Sequence, residues 1–347
     1  MATTAKYIYG ILNSNDEKIF DCSEDMIRKR IYTIAYRDIS AVVSDSDETD
    51  ITYLPKDILA MQLVEHQRVI ERVMTEHTVI PMRLGTIAAD EKEVETILAN
   101  GYRTIKDVLA KINNRVEVDV AATWNDFGLL LKEIGEEKEI KDQKERLLAN
   151  PSKVSIEDQM KIGFMVKKAL DKKREQFAAQ ILSVLSTVSR ACKEHDLMDD
   201  KMASNLAFLI DKSEHEDFER KLEELNTMFS EKLNFRCIDP LPPYSFYTIE
   251  VKNVEFEELD QARKKLGLQH IFNKEEIKKA YQRSAALVHP DKNPDALGME
   301  KEFNEVNKAY KMLMEYCLSC EHDEQNDRFY INEQQTEDKA ILVRVRQ

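Results

Sequence analysis

The chain is poor in the residues that build elaborate loops. It has 8 Gly and 8 Pro in 347 residues, which favours long helices and short connections. It has no apolar run near the ~18 residues of a membrane helix, so no lipid-spanning role is expected. Nor does it contain a P-loop, GxGxxG, HExxH or GxSxG signature, and no pocket-forming catalytic set stands out, so no enzyme and no cofactor is expected. Cysteine is scarce: Cys22, Cys192 and Cys237 are scattered, as in a reducing compartment. Cys317-Leu-Ser-Cys320 has ligand-like spacing with His322 nearby, but there is no second pair to complete a four-ligand zinc site. The pair therefore reads as two thiols at a helix end, and no metal is expected. Met1 leads almost directly into a strand-like segment, so no signal peptide is expected and the location is read as cytoplasmic.

What is abundant is charge. Charged residues make up 33% and the net charge is −14, which argues against nucleic acid as a partner because phosphate contacts need a basic surface. With 42% hydrophobic residues, the chain is long enough for two or three domains with their own cores.

The most legible stretch runs from Val64 to Leu98. Leu59, Leu63, Ile70, Val73 and Met74 recur at helical spacing, in a helix opened by Pro55. From Thr78 the sequence turns β-branched and short, predicting a strand bounded by Gly85, with Pro81 at an edge or a strand start. Asp90 then caps a second helix with Glu91 and Glu93 in its first turn. Strands are expected at Tyr7–Leu12, Ile31–Ala35 and Ile39–Val43, the last two joined by a tight turn at Tyr36-Arg37-Asp38. At Arg115–Trp124, Val116, Val118 and Val120 alternate with Glu117 and Asp119, which predicts a half-exposed strand. Residues 1–125 thus read as one α+β sandwich, modified ferredoxin-like, with the sheet on one side and two helices on the other.

Within it, His66 and His77 are about 16 Å apart along one helix and read as packed, hydrogen-bonded side chains. Arg83, if buried, needs a carboxylate, with Glu65, Glu71 and Glu76 as candidates. Residues 126–190 read as a helical hairpin. Its long second helix carries Ile156, Met160, Phe164, Phe177, Ile181, Leu185 and Val188 near one stripe, with the lysine runs as a solvated face. Residues 191–254 read as a second small α+β domain. It has a buried strand at Met202–Ile210, a helix from Glu214 to Leu233 and two short strands between Phe235 and Val251.

Three separated segments, HQRVIERVMTEHTVIPMRLGT, Ala122-Thr-Trp124 and Pro242-Pro-Tyr-Ser-Phe246, resemble the gas vesicle protein family GvpL/GvpF over about residues 5–251. The resemblance implies a noncatalytic minor vesicle component or assembly factor. Its partners would be the vesicle shell protein and other gas vesicle proteins.

Residues 255–320 change character. Leu266-Gly267-Leu268 closes a short helix, and Asn273-Lys-Glu-Glu276 has the form of a capping box. A helix to Val288 is expected with Ile277, Tyr281 and Leu287 inward. Pro290 then ends it by restricting His289, and a second helix spans Glu300–Tyr316 with Phe303, Val306, Tyr310 and Leu313 on one face. Two helices around His289-Pro-Asp-Lys-Asn293 resemble the J domain of DnaJ-type co-chaperones over about residues 256–316, without a gap from Leu266 through Asn293. Departures from that pattern are Ala262 and Arg263 in place of tyrosines, Ser284 in place of a core Leu and Leu287 in place of a basic residue. The resemblance implies an all-α J domain that docks a DnaK-type chaperone and stimulates its ATPase. His289, Pro290 and Asp291 would be the trigger, and Lys278, Lys279 and Arg283 the docking face. Residues 274–288 carry four basic and two acidic side chains, a local reversal of sign suited to an acidic partner.

Residues 321–347 read as an acidic mobile linker followed by a strand at Ala340–Arg346, expected to pair with a sheet edge within this chain or on a partner. The combined expectation is a cytoplasmic gas vesicle accessory protein, associated with vesicles, that recruits a chaperone to the assembling shell. The alternative is a general cytosolic J-domain co-chaperone whose N-terminal region binds other clients.

Overall fold

A computed structural model describes residues 4–22, 29–47, 51, 54–149, 154–288, 299–320, 328–331 and 339–346. They divide into two compact units, one formed by residues 1–113 with 247–347 and the other by 114–246.

The first unit begins with four strands, β1 (Ala5–Leu12), β2 (Ile19–Phe20), β3 (Ile31–Tyr36) and β4 (Ile39–Ser46). Helix α1 (Lys56–Met74), β5 (Val79–Pro81), β6 (Ile87–Ala88) and helix α2 (Glu91–Ile112) follow. The strands pair antiparallel in the order β2-β3-β4-β1-β5, with β6 also on β1. Arg37 takes the left-handed conformation at the β3–β4 turn, with φ 54. The Asp90 carboxylate accepts from Glu93 N at 2.9 Å and so starts α2 as expected.

Strand β1 is buried on both faces, and this fixes the layering. Ile8 and Ile11 pack with Ile97, Leu98, Ile105 and Leu109 of α2. Tyr7 and Tyr9 point the other way, into α1, where the Tyr7 hydroxyl lies 3.0 Å from His66 Nδ1 and the Tyr9 hydroxyl donates to Glu65 at 2.9 Å. The two helices therefore lie on opposite faces of the sheet, not on one side as the sequence reading had it. His66 is a packed core histidine, kept neutral because burial pushes its pKa down to about 4.

The second unit opens with β7 (Arg115–Trp124), then α3 (Phe127–Gly135), α4 (Lys138–Leu148) and α5 (Ile156–Leu185). Strands β8 (Ala191–Glu194) and β9 (Met202–Asp211), helix α6 (His215–Met228) and β10 (Leu233–Leu241) complete it. Its sheet runs β10-β7-β9-β8, all antiparallel. This corrects the expected boundary after residue 125. Strand β7 is an inner strand of the second sheet, where its valines meet Phe208, Leu206 and Ile210 of β9, and it takes no part in the first. Trp124, Phe177, Phe229 and Phe235 form a chain of ring contacts that ties α5 to this sheet, so the expected separate hairpin at 126–190 is part of the same core.

The chain then returns to the first unit through β11 (Thr248–Glu255) and α7 (Phe256–Lys265). A short strand β12 (Ile271–Phe272), helices α8 (Lys274–Val288) and α9 (Met299–Ser319), β13 (Phe329–Tyr330) and β14 (Lys339–Arg346) follow. Strand β11, expected in the second domain, pairs antiparallel with β14 from Thr248↔Arg346 to Glu255↔Lys339. Their ribbon buries apolar side chains on both faces, with the Glu250–Arg344 pair at one end of the second. Ile249, Val251, Ile341, Val343 and Val345 join the core under α2, whereas Val254, Ala340 and Leu342 join the core of α7, α8 and α9.

Polar contacts hold the register. Asn100 Nδ2 donates to Ile341 O at 2.8 Å, and Val343 N donates to Ser319 Oγ at 3.2 Å. Arg83 is exposed and pairs with Glu250 of β11, not with a carboxylate of α1, and Glu250 also accepts from Arg344 Nε at 2.8 Å. Among the described residues no helix is long and apolar enough to cross a membrane.

Helix α2 approaches the ribbon through Gly101, where an added Cβ would stand 2.6 Å from Val343 Cγ1 and 2.8 Å from Ile105 Cδ1. In a bare helix Gly→Ala stabilises by roughly 1 kcal/mol. Here Gly101→Ala is expected to destabilise by about 1–3 kcal/mol through overpacking, read as a lower urea midpoint. A raised midpoint would mean that the ribbon does not seat on α2.

Candidate functional site

The predicted docking residues sit on a helical module built from α7, α8 and α9. Helix α7 ends where Gly267 turns left-handed at φ 66. Arg263, standing where a tyrosine was expected, is buried. It is satisfied by Asp260 Oδ1 at 2.8 Å and by the Leu268 carbonyl at 2.6 Å. Ala262 beside it is also buried. Helix α8 starts with the expected capping box: Glu276 N donates to Asn273 Oδ1 and Asn273 N to Glu276 Oε2, both at 2.9 Å.

The inward face of α8 carries Ile277 and Ala280, with Tyr281 stacked on Tyr310 of α9 at 4.4 Å between ring centroids. The Tyr281 hydroxyl donates to Asn307 Oδ1 at 2.6 Å. Lys265 Nζ donates to Glu302 and Glu305 at 2.7 Å each and so joins α7 to α9. These hydrogen bonds raise the Lys265 pKa. Leu287, expected inward, is 75% exposed. It lies two turns beyond the buried Ala280 on the same side of the helix, next to the last residue of α8.

Lys278, Lys279 and Arg283 are all exposed. Lys279 and Arg283 line an open groove of about 690 Å³ together with Glu276, Leu268, Phe272 and Ala286, whereas Lys278 lies outside it. The groove joins two cations to an apolar floor, which suits an acidic segment with an apolar side chain. Helix α8 is described to Val288 and α9 from Met299. His289, Pro290 and Asp291 fall between them, outside the described residues.

The sequence reading missed what closes this module. In the middle of the acidic stretch, β13 pairs with β12, burying Phe329 and Ile331 in the module's core. Tyr316 donates to Tyr330 O at 2.7 Å, and Ile331 N to His270 O at 3.1 Å. Residues 328–331 are thus a plug and not part of a mobile linker. The apolar run Phe329-Tyr-Ile331 among acids was the available signal. Cys317 is buried in the same core and Cys320 is exposed at the helix end.

Titratable groups converge in the second unit as well. The ligand-capable atoms of Glu117, Asp119 and His195 lie within 4.8 Å of one another, as do those of His215, Glu219 and Asp239. Glu117 is 2% exposed, against the half-exposed strand expected. Its carboxylate accepts from Ser245 N at 2.8 Å and Ser245 Oγ at 2.5 Å, and His195 Nε2 lies 3.0 Å from that hydroxyl. The chemistry on view is a clasp that fixes the Pro242–Phe246 segment. Burial pushes the Glu117 pKa up to about 7.

Residues 5–248 match the family model described as gas vesicle synthesis protein GvpL/GvpF, and residues 264–316 match the DnaJ domain. Gas vesicle protein F1 of Halobacterium salinarum is 23% identical over 248 residues, covering 71% of this chain and 93% of that protein. Gas vesicle protein F of Nostoc sp. is 25% identical over 190 residues, 54% of this chain and 77% of that protein. The chaperone protein DnaJ of Chlorobium phaeobacteroides is 54% identical over 48 residues, only 12% of its own length. Among solved structures, the gas vesicle protein GvpF from Anabaena sp. shares the fold with a TM-score of 0.60 at 23% identity, covering 70% of this chain and 98% of that one. GvpF from Microcystis aeruginosa does so with a TM-score of 0.58 at 20% identity, covering 70% and 99%.

The Glu117 carboxyl holds its proton more tightly folded, at about 7, than its ordinary value of 4.5. Its contribution to stability is therefore complete below pH 4.5 and is lost as pH rises to about 7, on the order of 3 kcal/mol in all. Glu117→Gln keeps the shape without the charge. It is expected to flatten the fall in melting temperature between pH 5 and 8 and to be the more stable form at pH 8. Parallel pH profiles for the two proteins would refute the assignment.

Proposed function

Because the chain belongs to the gas vesicle synthesis protein GvpL/GvpF family and carries a DnaJ domain behind the family body, we propose that it is a noncatalytic assembly protein. In this reading it binds the vesicle shell protein and brings a DnaK-type chaperone to it. Its place is on or near the vesicle in the cytoplasm. The observation that carries this reading is the exposed α8 face. In a protein of net charge −14, Lys278, Lys279 and Arg283 are exposed and have no ion-pair partner among the described residues, on a helix whose other side packs into the module's core. A cationic face kept open on an acidic protein suits a docking role for an acidic partner.

His289, Pro290 and Asp291 are the proposed trigger. Lys279 and Arg283, which share the groove, are the proposed anchors, with Lys278 contributing to the surrounding potential. A vesicle subunit that must avoid self-association before it reaches the shell is a sensible client for an ATP-driven chaperone. The shared ribbon of β11 and β14 would keep client and chaperone on one body.

The test uses the full chain. His289→Gln is expected to abolish stimulation of a DnaK-type ATPase while leaving the circular dichroism spectrum and shell-protein binding unchanged. Lys279→Glu and Arg283→Glu are expected to weaken stimulation several-fold at low salt and less at high salt, because exposed charges are screened. Undiminished stimulation by His289→Gln would remove the trigger assignment. Failure to retain shell protein in pull-downs would remove the client assignment.

A further inference from the structure

Helix α5 is apolar on more sides than its own unit covers. In its N-terminal half Ile162, Met165, Val166 and Ala169 are half-buried, turned into the unit. On the opposite side Ile156, Met160 and Phe164 recur every four residues and are 77%, 69% and 69% exposed. The sequence places them in the core stripe of the helix, and in the structure that stripe is buried only farther on, at Ile181 and Leu185. Three large apolar side chains in one exposed row along a single helix face are the mark of an association surface.

Two further features say what fits there. Gly163 lies beside Phe164 on the bare side, and a Cβ added to it would meet nothing within 4 Å, so another helix can approach closely. The charges flanking the row are also asymmetric. Glu157 is at its start, Lys168 at its end, and neither has an ion-pair partner among the described residues. Eleven residues of helix separate them by about 16 Å, so they cannot meet within one chain.

We propose that this row is a self-association surface on which a second copy of the chain lays its own α5 antiparallel. Related by a two-fold axis near residues 162 and 163, the rows interdigitate. Phe164 of each copy falls between Met160 and Gly163 of the other. Glu157 of each copy then faces Lys168 of its mate, giving two equivalent ion pairs on one flank, as an isologous interface requires. Lys167, bonded to Asp171 at 2.7 Å, marks where the apolar row stops. The paired length is about 20 Å of helix, at the small end of specific interfaces, so the dimer is concentration-dependent, with a dissociation constant on the order of ten micromolar.

The full chain in sedimentation-velocity runs from about 1 to 100 micromolar is expected to pass from monomer to dimer across that range. Phe164→Glu is expected to weaken the dimer at least about 100-fold, because two buried rings are lost and two charges are desolvated. Glu157→Lys and Lys168→Glu are each expected to weaken it roughly ten-fold. The double exchange Glu157→Lys with Lys168→Glu is expected to restore it. Circular dichroism on each variant separates these effects from unfolding. A monomer throughout the range, or a double exchange as weak as the single ones, overturns the proposal. A different partner that covers Phe164 while the chain stays monomeric overturns it too.

Discussion

A two-stranded ribbon that buries apolar side chains on both faces holds the first unit together. Strands β11 and β14 place Ile249 and Val343 under α2 and, one residue out of phase, Val254 and Leu342 under α7 and α9. Alternation along a strand sends neighbouring side chains to opposite sides, so a ribbon with apolar side chains on both sides must be covered twice. Each of these four side chains is buried, and full burial of one is worth roughly 2 kcal/mol. The family body and the DnaJ domain therefore share a wall. They are not beads on a flexible string: the ribbon that packs under α2 also lines the core of α7, α8 and α9.

The same wall explains where the sequence was readable and where it was not. Local signals survived. The Asp90 cap, the capping box at Asn273 and the turn at Arg37 between β3 and β4 all depend on neighbours a few residues away. What failed depended on partners far along the chain. Strand β7 has the same alternation whichever sheet takes it, and only its pairing with β9 and β10 decides. Arg83 had three candidate carboxylates nearby in sequence, yet its partner is Glu250 on the returning strand. Leu287 looked inward because it is apolar and in phase with Ala280, but at the end of α8 it is left in solvent.

The helical module is likewise more than the segment its motif identifies. The family match ends at residue 316, whereas the core it would need to bury is completed by Phe329 and Ile331. The departures in the first helix fit this. Ala262 leaves room in the core, and Arg263 turns its charge to Asp260 and a carbonyl. The candidate docking face was legible because a basic cluster in an acidic chain is a matter of composition. The groove beside it was not, because it forms only when the α7–α8 connection is laid along the helix.

The position of β14 has a consequence for biosynthesis. On a ribosome the chain emerges from its N-terminus, so β11 is made long before the strand that pairs with it. Until Lys339–Arg346 have cleared the exit tunnel, β11 presents an open edge and the apolar surface of α2 around Gly101 stays uncovered. The nascent protein is thus itself a candidate for chaperone holding, and the arrival of β14 is what closes it.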